Sequence, residues 1–153
     1  MLAVVQRINE GRVTADGVLT AEHRGLGLLV LLGVAVGDTE DDANLLAEKI
    51  RKLRIFSDDN GKMNLSVEDV GGYVIVVSNF TLCGSYRRGN RPDYMNAAAP
   101  SDADRLYEYF ISLIRKNISE VGTGVFGADM QLSITADGPV TLQLDSEVLK
   151  GHR

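Results

Sequence analysis

Ser78, Asn79 and Thr81 are the residues best placed by type and spacing to handle a polar substrate. They follow directly on Tyr73–Val77, whose β-branched run reads as a strand buried on both faces. The segment Gly84–Pro92 follows, carrying Arg87, Arg88 and Arg91 with no acidic residue before Asp93. A core strand that delivers hydroxyls and an amide to a rim beside a cationic loop can hold a polar substrate, and the arginines themselves read equally as a phosphate contact or as a solvated loop. The Thr81 hydroxyl as a nucleophile needs a base, and no histidine, lysine or free amino terminus is paired with it by spacing. It suits hydrogen-bonding a substrate or a water, and a structural threonine at a strand end is the plain alternative. Cys83, the only cysteine, has arginines nearby to favour a thiolate but no histidine to activate it. The favoured reading is a small hydrophobe at a strand end. Of the two histidines, His23 sits in a charged hairpin arm and His152 next to the end of the chain, so neither reads as catalytic. Gly138-Pro139 offers rigid backbone acceptors close to a ligand if its peptide is cis, whereas the local pattern alone reads as a hairpin turn.

The elements that must position these groups fit into one domain of 153 residues. The longest apolar stretch, Leu26–Val36, is eleven residues, too short to span a bilayer as a helix. No signal-peptide pattern opens the chain, and a single cysteine fits a reducing compartment, so a cytoplasmic protein is expected. A net charge of −5 gives no global attraction to nucleic acid, although the arginine loop makes a local positive field. No zinc, calcium, dinucleotide or P-loop spacing occurs, and neither metal nor cofactor is expected.

Leu2–Arg7 reads as a strand, and Asp16-Gly17 as a two-residue hairpin turn between Arg12–Ala15 and Val18–Glu22. Leu26–Val36 is a second buried strand, with Gly33 a site of bulge or close backbone approach. Thr39 and Asp42 form a candidate capping box for a helix over about residues 40–52. Arg54–Phe56 is a candidate short strand. Ser101, with Asp104, caps a second helix whose apolar face is Ala103, Leu106, Tyr107, Phe110, Leu113 and Ile114. Met130–Thr135 and Val140–Leu144 read as two strands flanking a turn. The order predicts a single α+β domain over residues 1–146, with 147–153 as a short tail. Two main helices and a strongly curled, partly barrel-like sheet are expected.

Taken in order, the segments LLVLLGV, RIFSDDNGKMNLSV, VVSNFTL, RGNRP and FGADMQLSITADGPVT resemble the bacterial and eukaryotic D-aminoacyl-tRNA deacylase family. The resemblance covers nearly the whole chain. One family motif falls on Ser78, Asn79, Phe80, Thr81 and Leu82, with Asn79 in place of the usual glutamine. The other falls on Gly138, Pro139, Val140 and Thr141, preceded by Ala136 in place of the usual asparagine. The resemblance implies a homodimer in which a cis Gly138-Pro139 enters the partner's pocket and fixes the substrate's amino group. It implies that the two motifs accommodate the terminal aminoacyl-adenosine of tRNA, with Phe126 and Met130 shaping the pocket.

Within that resemblance, backbone N–H groups at Phe80 and Thr81 stabilise the oxyanion while water attacks, assisted by the neighbouring ribose 2′-hydroxyl. L-amino acids are excluded by crowding, so D-residues and glycine are the expected substrates. Arg87, Arg88 and Arg91 are the expected phosphate contacts. The competing readings are a Thr81 nucleophile, a Cys83-dependent esterase, and a non-catalytic module that binds the tRNA acceptor end.

Overall fold

The computed structural model describes residues 1–151, and His152 lies outside them. Strands β1 (Leu2–Ala15) and β2 (Val18–Gly33) form a long antiparallel hairpin. Its turn places Asp16 and Gly17 at φ +49° and +79°, the doubly left-handed backbone that this dipeptide favours. After β2, helix α1 (Glu40–Lys52) crosses over the sheet. The Thr39 N–H donates to the Asp42 carboxylate at 2.8 Å, which holds the start of α1. A small two-stranded ribbon, β3 (Phe56–Ser57) and β4 (Met63–Leu65), leads to β5 (Tyr73–Ser78). A 3-10 turn (Phe80–Cys83), helix α2 (Pro100–Arg115), β6 (Val121–Thr123), β7 (Met130–Asp145) and the short helix α3 (Ser146–Leu149) complete the chain.

The main sheet has the order β6-β5-β2-β1-β7. β5 is parallel to β2 and to β6, while β1 is antiparallel to both β2 and β7. The expectation of a strongly curled, partly barrel-like sheet is incorrect. The sheet is open and mixed, with β6 and β7 as its two unpaired edges, and three helices accompany it. Closure would need β6 to pair along β7, and a three-residue strand has almost no ladder to offer. The parallel β2–β5 and β5–β6 pairs instead require crossovers, which α1 and α2 supply.

Burial follows the strand alternation. Val74 and Val76 pack with Leu28, Val30 and Leu32 into the larger core under α1 and α2. Tyr73, Ile75 and Val77 point the other way, into a second cluster with Ile8, Val13 and Leu29. β5 is therefore buried on both faces, as its unbroken apolar run predicts. Two local expectations need correction. Helix α2 starts from Ala99 with Pro100 at its first position, so Ser101 lies inside the first turn and does not cap it. Proline suits that position because its missing N–H would have no intrahelical acceptor there. Residues 130–145 form one strand and not two arms of a hairpin.

The end of β7 is tied back to α1. Ser146 Oγ and Lys150 Nζ both meet Asp42 Oδ1, at 2.6 Å each. Burial works against ionisation of Asp42, but these partners and the Thr39 N–H outweigh it and hold the carboxyl well below its ordinary range.

Candidate active site at the end of strand β5

Asn79 ends the pairing of β5, its N–H donating to Leu32 O on β2 at 2.8 Å, and the chain then coils into the 3-10 turn. Gly33 makes room for that turn. A Cβ there would lie 2.9 Å from Leu82 Cβ, 3.0 Å from Asn79 O and 3.3 Å from Cys83 Sγ. The expected close backbone approach at Gly33 is thus the seat of the motif.

A cleft of about 410 Å³ opens beside the turn. It is lined by Ser78, Asn79 and Phe80, by Ala97, Ala98, Pro100 and Ala103, and by Phe126 and Met130. Phe126 leans on the Tyr107 ring at 6.0 Å, and the Tyr107 hydroxyl donates to Val76 O at 3.0 Å. Gly124 admits Met130, because a Cβ there would lie 2.3 Å from its Sδ. The structure therefore brings Ser78, Asn79, Phe80, Phe126 and Met130 together around one small, mainly apolar cavity.

Thr81 is exposed, and its hydroxyl donates to the Asn79 side-chain oxygen. An amide oxygen is not a base at neutral pH, so this hydrogen bond orients the hydroxyl without activating it. Cys83 is only 6% exposed and borders a different, wider cleft of about 530 Å³ with Met1, Asp38 and Glu147. Burial first, and the Asp38 carboxylate second, push the Cys83 thiol above its ordinary value. That environment suppresses the thiolate an esterase would use. His23 stacks on Tyr73 at 4.9 Å, at the end of β5 remote from Ser78. Among the described residues no three His, Cys, Asp or Glu side chains converge as a metal site. Among the described residues no helix is long and apolar enough to cross a membrane.

Gly138-Pro139 is cis, with Gly138 at φ +118°. It lies in edge strand β7, where the ladder to β1 breaks between Ala136↔Ile8 and Thr141↔Gln6. Four residues of β7 thus stand against Arg7 alone, a bulge on the one kind of strand that tolerates proline. Arg7 was missed by sequence reasoning. Its Nη1 donates to Ile55 O at 2.6 Å and its Nε lies 3.1 Å from Asp137 Oδ2. A Cβ on Gly138 would lie 3.3 Å from Arg7 Nη2 and 2.8 Å from Val140 N. Across the bulge, Gln6 bonds Val140 O at 3.3 Å and accepts from Thr141 Oγ1 at 2.6 Å. The only signal for Arg7 is a cation following the largely apolar segment Leu2–Gln6. Gly138 and Pro139 are exposed and line no part of the Phe80 cleft within this chain.

Arg87, Arg88 and Arg91 are all exposed on the segment between the 3-10 turn and α2. That segment meets the cleft wall through Tyr94, whose ring makes an edge contact with Phe80 at 5.1 Å.

The sequence profile of the D-Tyr-tRNA(Tyr) deacylase family matches residues 4–145. The chain belongs to this family. It is accordingly an ester-hydrolysing enzyme of the aminoacyl-tRNA deacylase type. Relatives include the D-aminoacyl-tRNA deacylase of Anaeromyxobacter dehalogenans, 54% identical over 97% of this chain and 99% of that protein. The Thermus aquaticus D-aminoacyl-tRNA deacylase is 52% identical over the full length of both. Among solved structures, a c-Myc DNA Unwinding Element Binding Protein superposes with a TM-score of 0.88 at 38% identity, over 95% of this chain and 98% of that one. A probable eukaryotic D-amino acid tRNA deacylase shares the fold, with a TM-score of 0.76 at 16% identity over 94% and 97% of the two chains.

Proposed function

We propose that this deacylase cleaves the ester between a D-amino acid, or glycine, and the terminal adenosine of tRNA, sparing L-aminoacyl-tRNA. The observation that carries this reading is the separation of the two motifs. Ser78–Leu82 follows strand β5, and Gly138-Pro139 sits on β7, with β2 and β1 between them. Three strand spacings set them about 14 Å apart perpendicular to the strands, and the register adds an offset along them, since Ser78 lies in the row of Leu32, Ala3 and Leu144. An exposed, braced acceptor pair remote from its own cleft is suited to completing the cleft of a second copy. The working unit is therefore a homodimer with two shared sites, operating in the cytoplasm.

In that unit the partner's Gly138 and Pro139 carbonyls accept hydrogen bonds from the substrate's α-ammonium. With the ammonium and the ester both fixed, an L side chain is directed against the cleft wall and a D side chain outward. Glycine has nothing to clash and enters. Phe126 and Met130 flank the adenosine. The N–H groups of Phe80 and Thr81 open the 3-10 turn, where no intrahelical acceptor exists, and are available to the oxyanion. Water attacks the ester carbon, the ribose 2′-hydroxyl relays its proton, and the terminal ribose 3′-oxygen leaves with that proton. The Asn79 contact and the buried thiol disfavour the Thr81 and Cys83 nucleophiles respectively.

Matched D-, L- and glycyl-tRNA incubated with the purified protein test the reading. Rapid release of D-residues and glycine, with L-residues retained, is expected. Equal hydrolysis of D and L esters would remove the filter, and tight acceptor-end binding without release would support the non-catalytic alternative.

A further inference from the structure

The loop between the cleft and α2 has a built form that phosphate contacts alone do not require. Ser85 and Asp93 pair with each other through both backbone bonds, Ser85 N to Asp93 O at 2.8 Å and Asp93 N to Ser85 O at 3.0 Å. This clamp closes a seven-residue loop, Tyr86–Pro92, turned by Gly89 at φ +64°. Beside the clamp, the Tyr94 ring fills the space a Cβ on Gly84 would need, 2.8 Å from Tyr94 Cε1, and contacts Phe80. The loop base is thus locked to the cleft wall while its contents face solvent. Tyr86 is 84% exposed and Arg87, Arg88 and Arg91 are exposed, in a segment with no carboxylate. Among the described residues none of these three arginines makes an ion pair, although the chain carries a net charge of −5.

An unburied aromatic ring among uncompensated cations, on an anchored base, has the composition of a platform for single-stranded nucleic acid. Such platforms stack bases on aromatic faces and track the backbone with positive charge. We propose that Tyr86 receives an unpaired base of the RNA 3′ end preceding the terminal adenosine, while Arg87, Arg88 and Arg91 hold the adjoining phosphates. This inference rests on the aminoacyl-tRNA reading of the neighbouring cleft and adds to it a second point of grip outside that cleft. The terminal nucleoside enters beside Phe80, and the preceding single strand lies along the loop. Positive charge on this arm favours RNA over a second copy of this acidic chain.

Two substrates and one binding probe test the arm. The substrates are a D-aminoacyl minihelix with its full single-stranded end and D-aminoacyl-adenosine, which reaches the cleft only. The probe is an uncharged minihelix with 2-aminopurine next to the terminal adenosine, whose fluorescence falls on stacking. With Tyr86→Ala, KM for the minihelix is expected to rise about tenfold, the worth of one base–aromatic stack. Turnover of the adenosine ester is expected to stay unchanged, Tyr86→Phe to behave as the native protein, and 2-aminopurine quenching to disappear only in the alanine variant. Native kinetics for Tyr86→Ala on the minihelix would overturn the proposal, as would equal losses on both substrates. A Tyr86→Ala protein whose sedimentation changed while quenching did not would assign the loop to subunit contact and also overturn it. If the native protein quenched the probe through Tyr86 but hydrolysed neither ester, the arm would stand and the functional reading of the cleft would fall.

Discussion

The two motif segments are positioned by opposite means. Ser78–Cys83 continues the most buried strand of the sheet and is seated on Gly33, with Val76 and Val77 inside the two cores directly before it. Ala136–Thr141 is a bulge on an exposed edge strand, held by an arginine ion pair and a few hydrogen bonds from β1. The first is a wall that cannot move without disturbing the core. The second is a projection at the sheet edge, shaped by its cross-strand partners on β1 and reaching the larger core only through Val140. Their difference suits a site assembled from two copies, in which each chain offers a rigid receptor and a braced insert. It also implies that mutations in the two segments should separate activity from stability in different proportions.

The largest effect is expected from Gly138→Ala. Its backbone at φ +118° is open essentially to glycine, and the new Cβ would lie 2.8 Å from Val140 N and 2.9 Å from Val140 Cγ2. Strain of about 1–3 kcal/mol, concentrated in the projection, should displace the acceptor carbonyls. Release of D-residues is expected to fall about 100-fold, since each 1.36 kcal/mol of lost transition-state stabilisation is tenfold in rate. The thermal midpoint should fall by no more than several degrees, because the strain sits on an edge strand where Val140 is the bulge residue packed against the larger core. Near-native kcat/KM with intact chiral selectivity would take β7 out of the site and break the comparison.

Gly33→Ala strikes the other segment, and here stability and activity should fall together. The added methyl meets Leu82 Cβ and a backbone oxygen, neither of which can swing away as a flexible side-chain end can. Overpacking of this kind costs about 1–3 kcal/mol. Urea unfolding should show a lower midpoint, and kcat/KM measured on the folded protein should drop about tenfold as the turn shifts, about 1.4 kcal/mol at the barrier. A lower midpoint with unchanged kcat/KM would mean that the turn is scaffold only.

The same contrast explains what could be read before the structure. β5, the Asp16-Gly17 turn and α1 carry their signals within a few residues, as alternation, a turn dipeptide and a cap. The wall of the site was legible for that reason, down to the close approach at Gly33. The projection was not. Residues 130–145 looked like a hairpin because Gly138-Pro139 is a turn signal locally, whereas its role as a bulge is set by pairing with Gln6 and Ile8 over a hundred residues away. The Arg7–Asp137 brace is likewise a cross-strand contact with no local trace. Sheet closure failed as an expectation for a related reason. It depends on which edges meet, and strand patterns within a segment say nothing about that.

The smallest effect should come from Thr81→Ala, and it decides what kind of wall Ser78–Cys83 is. The Thr81 hydroxyl spends its proton on Asn79, which cannot take it up, and burial suppresses the neighbouring Cys83 thiolate. If the turn acts through its backbone, removing the hydroxyl costs one ordinary hydrogen bond, about 0.5–1.5 kcal/mol, or at most about tenfold in rate. The N–H groups at Phe80 and Thr81 survive the substitution, so D-aminoacyl-tRNA turnover should stay far above the uncatalysed rate with its chiral selectivity intact. A covalent mechanism predicts the opposite. Turnover would fall to background, and the native protein quenched during hydrolysis would carry the acyl group on Thr81, detectable as added mass on the peptide spanning Ser78–Cys83. Because the two outcomes differ by orders of magnitude, one rate constant for this variant separates a wall that reacts from a wall that only holds.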